Sequence, residues 1–254
     1  MQPNETSESL AIRRKILEMA HKAQEGHVPS SLSIVEPVLA VFTDWDVGPR
    51  GLDSFILSKG HGCLALYAAL ASKGLLKSQD LDSIGQKGSA LGGHPDMTKI
   101  EGVEASTGSL GHGLPMAVGL AYAKMHFMGK GRVFALVGDG ECNEGVIWES
   151  ALLASHHKLR NLTVWVDYNR SGDRALDMEP LAAKWKAFGF QVFEIDGHDL
   201  QAIRATIAIE SDKPTAIIGN STKGKGVDFM ENSPQWHHSP INAEALALGL
   251  EALQ

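Results

Sequence analysis

The sequence predicts an α/β fold, in which a doubly wound, mainly parallel sheet carries helices on both faces. Two observations indicate this class. Apolar runs alternate with helical patterns, as in successive βαβ units. The runs are continuous rather than alternating, which is typical of parallel strands buried on both faces. They lie at 133–137, 162–167, 190–195 and 215–219.

Helical periodicity accounts for much of the remaining chain. The predicted helices cover about 7–24, 33–43, 62–73, 112–128, 146–158, 179–188 and 199–210. A short apolar run at 55–57 ends at a Gly-containing turn, and residues 80–104 are polar and Gly-rich, which predicts a loop with some helix. We expect residues 1–254 to form a single domain with a helical N-terminal segment at about 1–50.

Composition and charge argue against several classes of protein. The 254 residues carry a net charge of −7, whereas surfaces that bind nucleic acid or anionic membranes are basic. No apolar run reaches the roughly 18 residues of a membrane span, and the polar N-terminus lacks a signal-peptide pattern. The two cysteines show neither metal-binding nor disulfide-scaffold spacing. We therefore expect a cytoplasmic protein.

Polar residues follow two of the predicted strands. Asp139 lies between glycines after the first strand, although Gly-Asp-Gly alone is also a common turn. Asn169 follows the next strand. If these strands are neighbours, the Asp139 carboxylate, the Asn169 amide oxygen and the backbone carbonyl of Ser171 could form part of an oxygen site for Mg²⁺. Diphosphate oxygens and water would complete such a site. The paired motifs resemble the diphosphate-binding signature of thiamine diphosphate (TPP) proteins.

Histidines form a second candidate group. A lone histidine is more often a surface or capping residue, but His27, His61, His94 and His237 lie in loops beside predicted strands or helices. Imidazoles suit a site that moves protons and holds sugar hydroxyls or diphosphate near neutral pH. The histidines assigned to structure are His21, His126, His156 and His157.

Two loops could contact a phosphate. Residues 106–111 precede a helix, whose first N–H groups and dipole favour an anion, while Ser or Thr in this loop could also serve as the N-cap. Residues 222–226 are either a basic phosphate clamp or a solvated loop, and we favour a loop that carries His237 into the site.

The chain resembles the N-terminal half of transketolases, and most of all the separate N-terminal subunits of split transketolases. The resemblance extends from about residue 8 to the end. It is carried by the ordered segments FILSKGHG, GGHPDM, STGSLGHGLPMAVGLA, LVGDGECNEG, EPLAAKWKAFGF, EIDGHD and TKGKGVDFMENSPQWHH. It implies the TPP-binding fold of the diphosphate type and the transfer of a two-carbon ketol unit from a ketose, a sugar phosphate or related sugar, to an aldose.

The resemblance also implies roles for particular residues. Asp139, Asn169 and the carbonyl of Ser171 would bind Mg²⁺ or another divalent cation such as Ca²⁺ or Mn²⁺. His27 and His94 would face the sugar, and His237 would reach both diphosphate and substrate. The implied catalytic residues are His27, His61, His94, His237 and Glu144, the last at a subunit interface. The implied cofactor-binding residues are His61, Gly108, Ser109, Leu110, Asp139, Gly140, Glu141, Asn169 and His237.

Family members activate the cofactor with a glutamate from a following, pyrimidine-binding domain. We therefore expect this chain to need a C-terminal transketolase subunit of about 300 residues, with two copies of each subunit and TPP between unlike chains.

Four features depart from the family pattern, the first being that GHVPSSLS lacks the Gly-rich end seen in many relatives. His112 replaces the usual glutamine, His238 replaces a glycine, and the stretch between Asn169 and Glu179 is shortened. Either His237 or His238 could be the functional histidine. Another TPP enzyme, such as a deoxyxylulose-phosphate synthase or a 2-oxoacid dehydrogenase component, and a non-catalytic TPP-binding paralogue remain alternatives.

Overall fold

A parallel sheet organises the chain in the computed structural model, which describes residues 6–254 except the side chain of Arg174. Within these residues five strands form one sheet in the order β1-β2-β3-β5-β4, and every neighbouring pair is parallel. The strands are β1 (Ser54–Leu57), β2 (Val133–Gly138), β3 (Leu162–Tyr168), β4 (Gln191–Asp196) and β5 (Thr215–Asn220). The predicted fold class is confirmed, and the short run at 55–57 proves to be the additional strand β1.

The helices agree with the prediction apart from four details. They are α1 (Ser7–Ala23), α2 (Val28–Leu32), α3 (Val35–Asp44), α4 (Cys63–Ser72), α5 (Gly113–Ala123), α6 (Gly145–His156), α7 (Leu181–Ala187), α8 (Leu200–Ile207) and α9 (Ala243–Ala252). The loop expected at 80–104 contains the end of a 3₁₀ turn, Ser78–Ser83. The helix expected at 112–128 becomes a π-helical turn after Ala123. Helix α9 was not predicted. Residues 1–5 of the expected N-terminal helical segment lie outside the described residues.

The fourth detail is α2, which was not predicted and precedes the helix expected at 33–43, whereas that helix is confirmed as α3. Pro29 at the start of α2 supplies a helical φ without needing an N–H partner. Ser33 is the C-cap of α2, and its hydroxyl donates to the buried carboxylate of Asp167 at 2.7 Å.

Alternating side chains of each strand enter two separate hydrophobic layers. In β2, Phe134 and Leu136 face a layer formed by α1–α4, α8 and α9. Ala135 and Val137 face the opposite layer, formed by α5, α6 and α7. All four side chains are completely buried, as expected for a central parallel strand. Both faces of the sheet are therefore covered.

The register brings the carboxyl ends of the strands to one edge. Gly138 of β2 is paired with Asp167 of β3, and Asn220 of β5 is paired with both Tyr168 of β3 and Asp196 of β4. Loops that follow these residues meet at this edge, which is the usual ligand side of a parallel α/β sheet. Among the helices of residues 6–254, none is both long and apolar enough to cross a membrane.

Candidate functional site

Asp139 and Asn169 emerge next to each other, as the adjacent strands β2 and β3 require. The backbone N–H of Asp139 donates to the carbonyl of Asp167 at 3.2 Å. The turns after the two strands also touch, since a Cβ on Gly172 would lie 2.8 Å from the Cα of Gly140. The predicted adjacency is confirmed, and only glycine fits at 172 without moving Gly140.

One oxygen of Asp139 has no partner within the described part of the chain. Oδ1 accepts the N–H of Gly140 at 2.7 Å, whereas Oδ2 is buried and has no hydrogen bond. Burial raises the pKa of this carboxyl, and the neighbouring carboxylate of Asp167 raises it further. A buried acceptor without a partner is unfavourable, and a divalent cation at Oδ2 would satisfy it. The geometry of Asp139 therefore fits a metal ligand.

Asn169 has the orientation that a ligand amide needs. Its Nδ2 donates to Asp167 at 2.7 Å, which leaves Oδ1 facing the following turn, where it accepts the N–H of Ser171 at 3.1 Å. A carbonyl oxygen has two lone pairs, so Oδ1 can still bind a cation. Ser171 begins the short turn Gly172–Arg174, and its hydroxyl accepts from Lys223 Nζ at 3.0 Å.

Asp167 connects the strand ends beneath these ligands, and sequence reasoning missed its partner Lys59. Asp167 is completely buried and accepts hydrogen bonds from Lys59 Nζ at 2.5 Å and from the hydroxyl of Ser221. Burial raises the pKa of Asp167, but the ammonium of Lys59 and several hydrogen bonds outweigh it, so the pKa is lowered. The carboxylate therefore stays charged and holds Asn169 through its amide.

The structure brings the predicted histidines together around His27. The His27 ring centroid lies 5.2 Å from those of His61 and His237, 6.4 Å from His94 and 4.6 Å from His238. Burial, followed by the charge of His238 and of its other neighbours, lowers the pKa of His27 to about 4. Burial and then Lys59 lower the pKa of His61 to about 2. Both imidazoles are neutral near pH 7, so each can donate one hydrogen bond and accept another.

His94 lies against the glycine-rich loop at 106–111. Gly108 has φ +143°, and a Cβ there would lie 2.6 Å from the ring of His94. The alternative in which a Ser or Thr of this loop caps the next helix is wrong: the N-cap of α5 is His112, without a side-chain hydrogen bond. Thr107 instead donates its hydroxyl to the carbonyl of Leu57 at 2.6 Å, which ties the loop to β1.

Glu141 lies beneath this loop. It is 1% exposed and accepts hydrogen bonds from the N–H of Gly111 at 2.7 Å and from the hydroxyl of Ser58 at 2.5 Å. Burial raises the pKa of its carboxyl. The contacts of Glu141 therefore hold the loop in place, and its side chain is occupied by the protein itself.

Ser109, Leu110 and Glu144 lie on the surface beside the site. The side chain of Glu144 packs on the backbone of Gly111, where an added Cβ would approach it to 2.9 Å. Large apolar side chains are exposed on the same loop and on helices α5 and α6. They are Leu110, Met116, Leu152 and Leu153, each 38–58% exposed. Since α5 and α6 contact each other, this side of the domain is a candidate protein interface.

A cavity of about 600 Å³ opens beside Asn169. Lys223 Nζ lies 2.9 Å from His237 Nδ1, a hydrogen bond in which the ammonium donates. The cavity lining comprises Asn169, Arg170, Ser171, Ser221, Thr222, Lys223, Asn232, Ser233, Pro234 and His237. Cationic and hydroxyl groups beside a candidate cation site fit a diphosphate. Both His237 and His238 contact His27, but only His237 is also part of this lining.

The fold and site together define an α/β domain whose candidate ligand site lies at the carboxyl edge of its sheet. The family described as transketolase, thiamine diphosphate binding domain, matches residues 5–253. The chain belongs to the transketolase family.

Similar proteins cover nearly the whole chain. Two of them are subunits of the apulose-4-phosphate transketolases of Actinobacillus succinogenes and Phocaeicola vulgatus. The Actinobacillus succinogenes subunit is 40% identical over 96% of this chain and 94% of its own length. The Phocaeicola vulgatus subunit is 37% identical over 91% of this chain and 87% of its own length. A 6-deoxy-6-sulfo-D-fructose transketolase subunit of a Clostridium species is 38% identical over 92% of this chain and 90% of its own.

Solved transketolases share the fold. The Campylobacter jejuni enzyme superposes on 97% of this chain with a TM-score of 0.90 and 29% identity. The Leishmania mexicana enzyme superposes on 95% of this chain with a TM-score of 0.87 and 29% identity. The chain spans 42% and 40% of these two proteins.

Proposed function

We propose that this chain is the N-terminal subunit of a two-subunit transketolase, and that it binds Mg²⁺ and the diphosphate of TPP. One observation carries the proposal: the buried Oδ2 of Asp139 has no partner within the described residues and lies beside Asn169. Mg²⁺ favours oxygen ligands and keeps sites open for phosphate oxygens. In this proposal Ser171 contributes its carbonyl as the third protein ligand.

Lys223 and His237 are the groups that would hold the diphosphate. The buried Lys223 ammonium already donates to His237 and Ser171, so it is aimed at the cavity rather than at bulk solvent. His61 and the backbone of Gly140 complete this end of the site in the proposal.

The imidazoles of His27 and His94 serve the sugar in this proposal. When bound, TPP supplies a thiazolium carbon that adds to the ketose carbonyl and accepts electrons as a carbon–carbon bond breaks. Neutral imidazoles can donate to one sugar hydroxyl and accept from another, and they can relay a proton as the hydroxyl becomes a carbonyl. Because the pKa values of His27 and His61 are lowered, both imidazoles are neutral near pH 7.

The exposed apolar side chains near Leu110 support a partner chain. We propose that this surface, together with Glu144 and Ser109, faces the C-terminal, pyrimidine-binding subunit in an assembly of two copies of each chain. The names of the relatives, which describe each of them as one subunit of a transketolase, support such a partner. A cytoplasmic location and a single domain over 1–254 stay predictions.

The same relatives suggest the class of donor. We propose a ketose with an unusual far end, branched or sulfonated, because the relatives are named for apulose 4-phosphate and for 6-deoxy-6-sulfo-D-fructose. An activity assay should compare such donors with ordinary pentulose phosphates.

The test is reconstitution with a candidate C-terminal transketolase subunit, sought among the products of the neighbouring genes. We expect ketol transfer from at least one ketose in the mixture and none from either chain by itself, with full dependence on TPP and Mg²⁺. Normal transfer by this chain without a partner would contradict the two-subunit proposal. Consumption of pyruvate but of no ketose would favour another TPP enzyme, and cofactor binding without turnover on any donor would favour a non-catalytic paralogue.

A further inference from the structure

Three charged or polar side chains form a hydrogen-bonded series next to the Lys223 loop (residues 222–226). None of them lines the cavity beside Asn169. Arg13 of α1 donates to both carboxylate oxygens of Glu36 in α3, at 2.6 and 3.0 Å. Glu36 Oε2, which accepts from Arg13, also lies 3.0 Å from His198 Nδ1. Arg13 is completely buried and Glu36 is 1% exposed. Burial raises the pKa of Glu36, but Arg13 and His198 lower it more, so the carboxylate is charged.

The two outer members of this series, His198 and Arg13, hold the backbone on either side of Lys223. The N–H of Thr222, one residue before the lysine, donates to His198 Nε2 at 2.8 Å. Arg13 Nε donates to the carbonyl of Lys225, two residues after it, at 3.1 Å. Since Nε2 accepts, the proton of a neutral His198 is on Nδ1, where it donates to Glu36.

The Lys223 loop consists of turns, and the contacts of Arg13 and His198 add to its backbone hydrogen bonds with Pro29 and Asn232. Gly224 and Gly226 have φ +87° and +89°, a region that glycine enters freely and other residues avoid. A lysine side chain adds further rotational freedom that binding must restrict. Gly226 also packs on the guanidinium, since a Cβ there would lie 3.3 Å from Arg13 Nε. Without the contacts of Arg13 and His198, the ammonium would be less confined to the cavity.

We propose that Arg13, Glu36 and His198 form a positioning array that holds Lys223 in place to bind the cofactor diphosphate. The array acts only through the backbone of Thr222 and Lys225, so its members are positioning residues. This inference rests on the proposed function, because it takes the cavity beside Lys223 to be the diphosphate site.

Two substitutions of His198 separate its two hydrogen bonds. In His198→Asn the side-chain nitrogen occupies the place of Nδ1 and can still donate to Glu36, but nothing accepts from Thr222. In His198→Gln the amide reaches the place of Nε2 and can accept from Thr222. Substitution of Glu36 would leave the Arg13 guanidinium buried without its anion and is avoided. Asp199→Ala is the matched control, because Asp199 caps α8 through Gln201 and Ala202 without touching the loop.

The measurement is the affinity of the reconstituted two-subunit protein for TPP with Mg²⁺, by calorimetric titration, alongside the melting temperature of each cofactor-free protein. Loss of one hydrogen bond to the loop should weaken binding about five-fold in His198→Asn. His198→Gln should restore most of that loss. Asp199→Ala should lower the melting temperature but leave the affinity unchanged.

Equal affinities for His198→Asn, His198→Gln and wild type would overturn the positioning array and leave the proposed function intact. The same holds if affinity falls in Asp199→Ala as much as in His198→Asn, because the loss would then follow stability. If the wild-type assembly does not bind TPP with Mg²⁺, both the proposed function and this inference are wrong.

Discussion

Substitution of Asp139 by asparagine should change cofactor binding and cofactor-free stability in opposite directions. In the cofactor-free protein this carboxyl is buried near Asp167, its Oδ2 is without a partner in the described chain, and its pKa is raised by burial and by that neighbour. Asparagine removes a charge that the isolated fold does not compensate, so we expect Asp139→Asn to be at least as stable as wild type, with a gain of at most about 1 kcal/mol. That corresponds to a rise in melting temperature of about 2–4 °C.

The loss of binding should be much larger. Removing one charged partner of a buried ionic contact costs about 3–5 kcal/mol, or more than 100-fold in affinity. Cofactor at about 100 times its dissociation constant stabilises wild type by about 2.7 kcal/mol, and the same concentration should stabilise Asp139→Asn by about 0.3 kcal/mol or less.

Thermal unfolding of the chain and of its complex with the partner subunit measures both effects. Each protein is melted without additions, with Mg²⁺, with TPP and with both. Asp173→Asn is the control, since Asp173 lies in the neighbouring turn Gly172–Arg174 after β3, and its ion pair with the exposed Arg170 is 3.6 Å long. If Asp139→Asn is destabilised without cofactor and keeps the wild-type shift with Mg²⁺ and TPP, Asp139 is a structural acceptor and the metal assignment fails.

Three further predictions concern the groups around this site. Lys59→Ala should destabilise the fold by about 3–5 kcal/mol in urea titrations, because it leaves the buried Asp167 carboxylate without its cation; a change below about 1 kcal/mol would contradict this. His238→Gly should raise the pKa of His27, measurable by NMR titration, and alter KM for the ketose more than TPP affinity; the reverse pattern would assign His238 to the diphosphate. Between about pH 6.5 and 4 the unfolded chain binds more protons at His27 than the folded chain, so the free energy of unfolding should fall as pH falls. His27→Gln should make that dependence shallower, and an unchanged slope would refute it.

The layered fold and the meeting of Asp139 with Asn169 were predictable from sequence because both follow from local patterns. Continuous apolar runs identified parallel strands, and parallel strands bring the residues that follow them to one edge. The gathering of His27, His61, His94 and His237 could be proposed only from their loop positions and the family resemblance. Their roles with substrate stay predictions.

Other parts of the site could not be predicted from local patterns. Lys59 and Asp167 are 108 residues apart, and Glu36 and His198 are 162 apart. Either member of each pair would look like a solvent-exposed residue from sequence alone. The signals available were a lysine directly after an apolar strand and a histidine directly after β4, and neither identifies a partner.

The sequence by itself determined the fold class, the edge of the sheet that carries the candidate site and the paired motifs around Asp139 and Asn169, because these depend on periodicity and on residues adjacent in the chain. Only the tertiary structure decided that Oδ2 of Asp139 lacks a partner among the described residues, that Glu141 supports a loop, and that His198 holds the backbone beside Lys223. Burying a charge or a polar atom is costly unless a partner is present, and that partner comes from a different part of the chain.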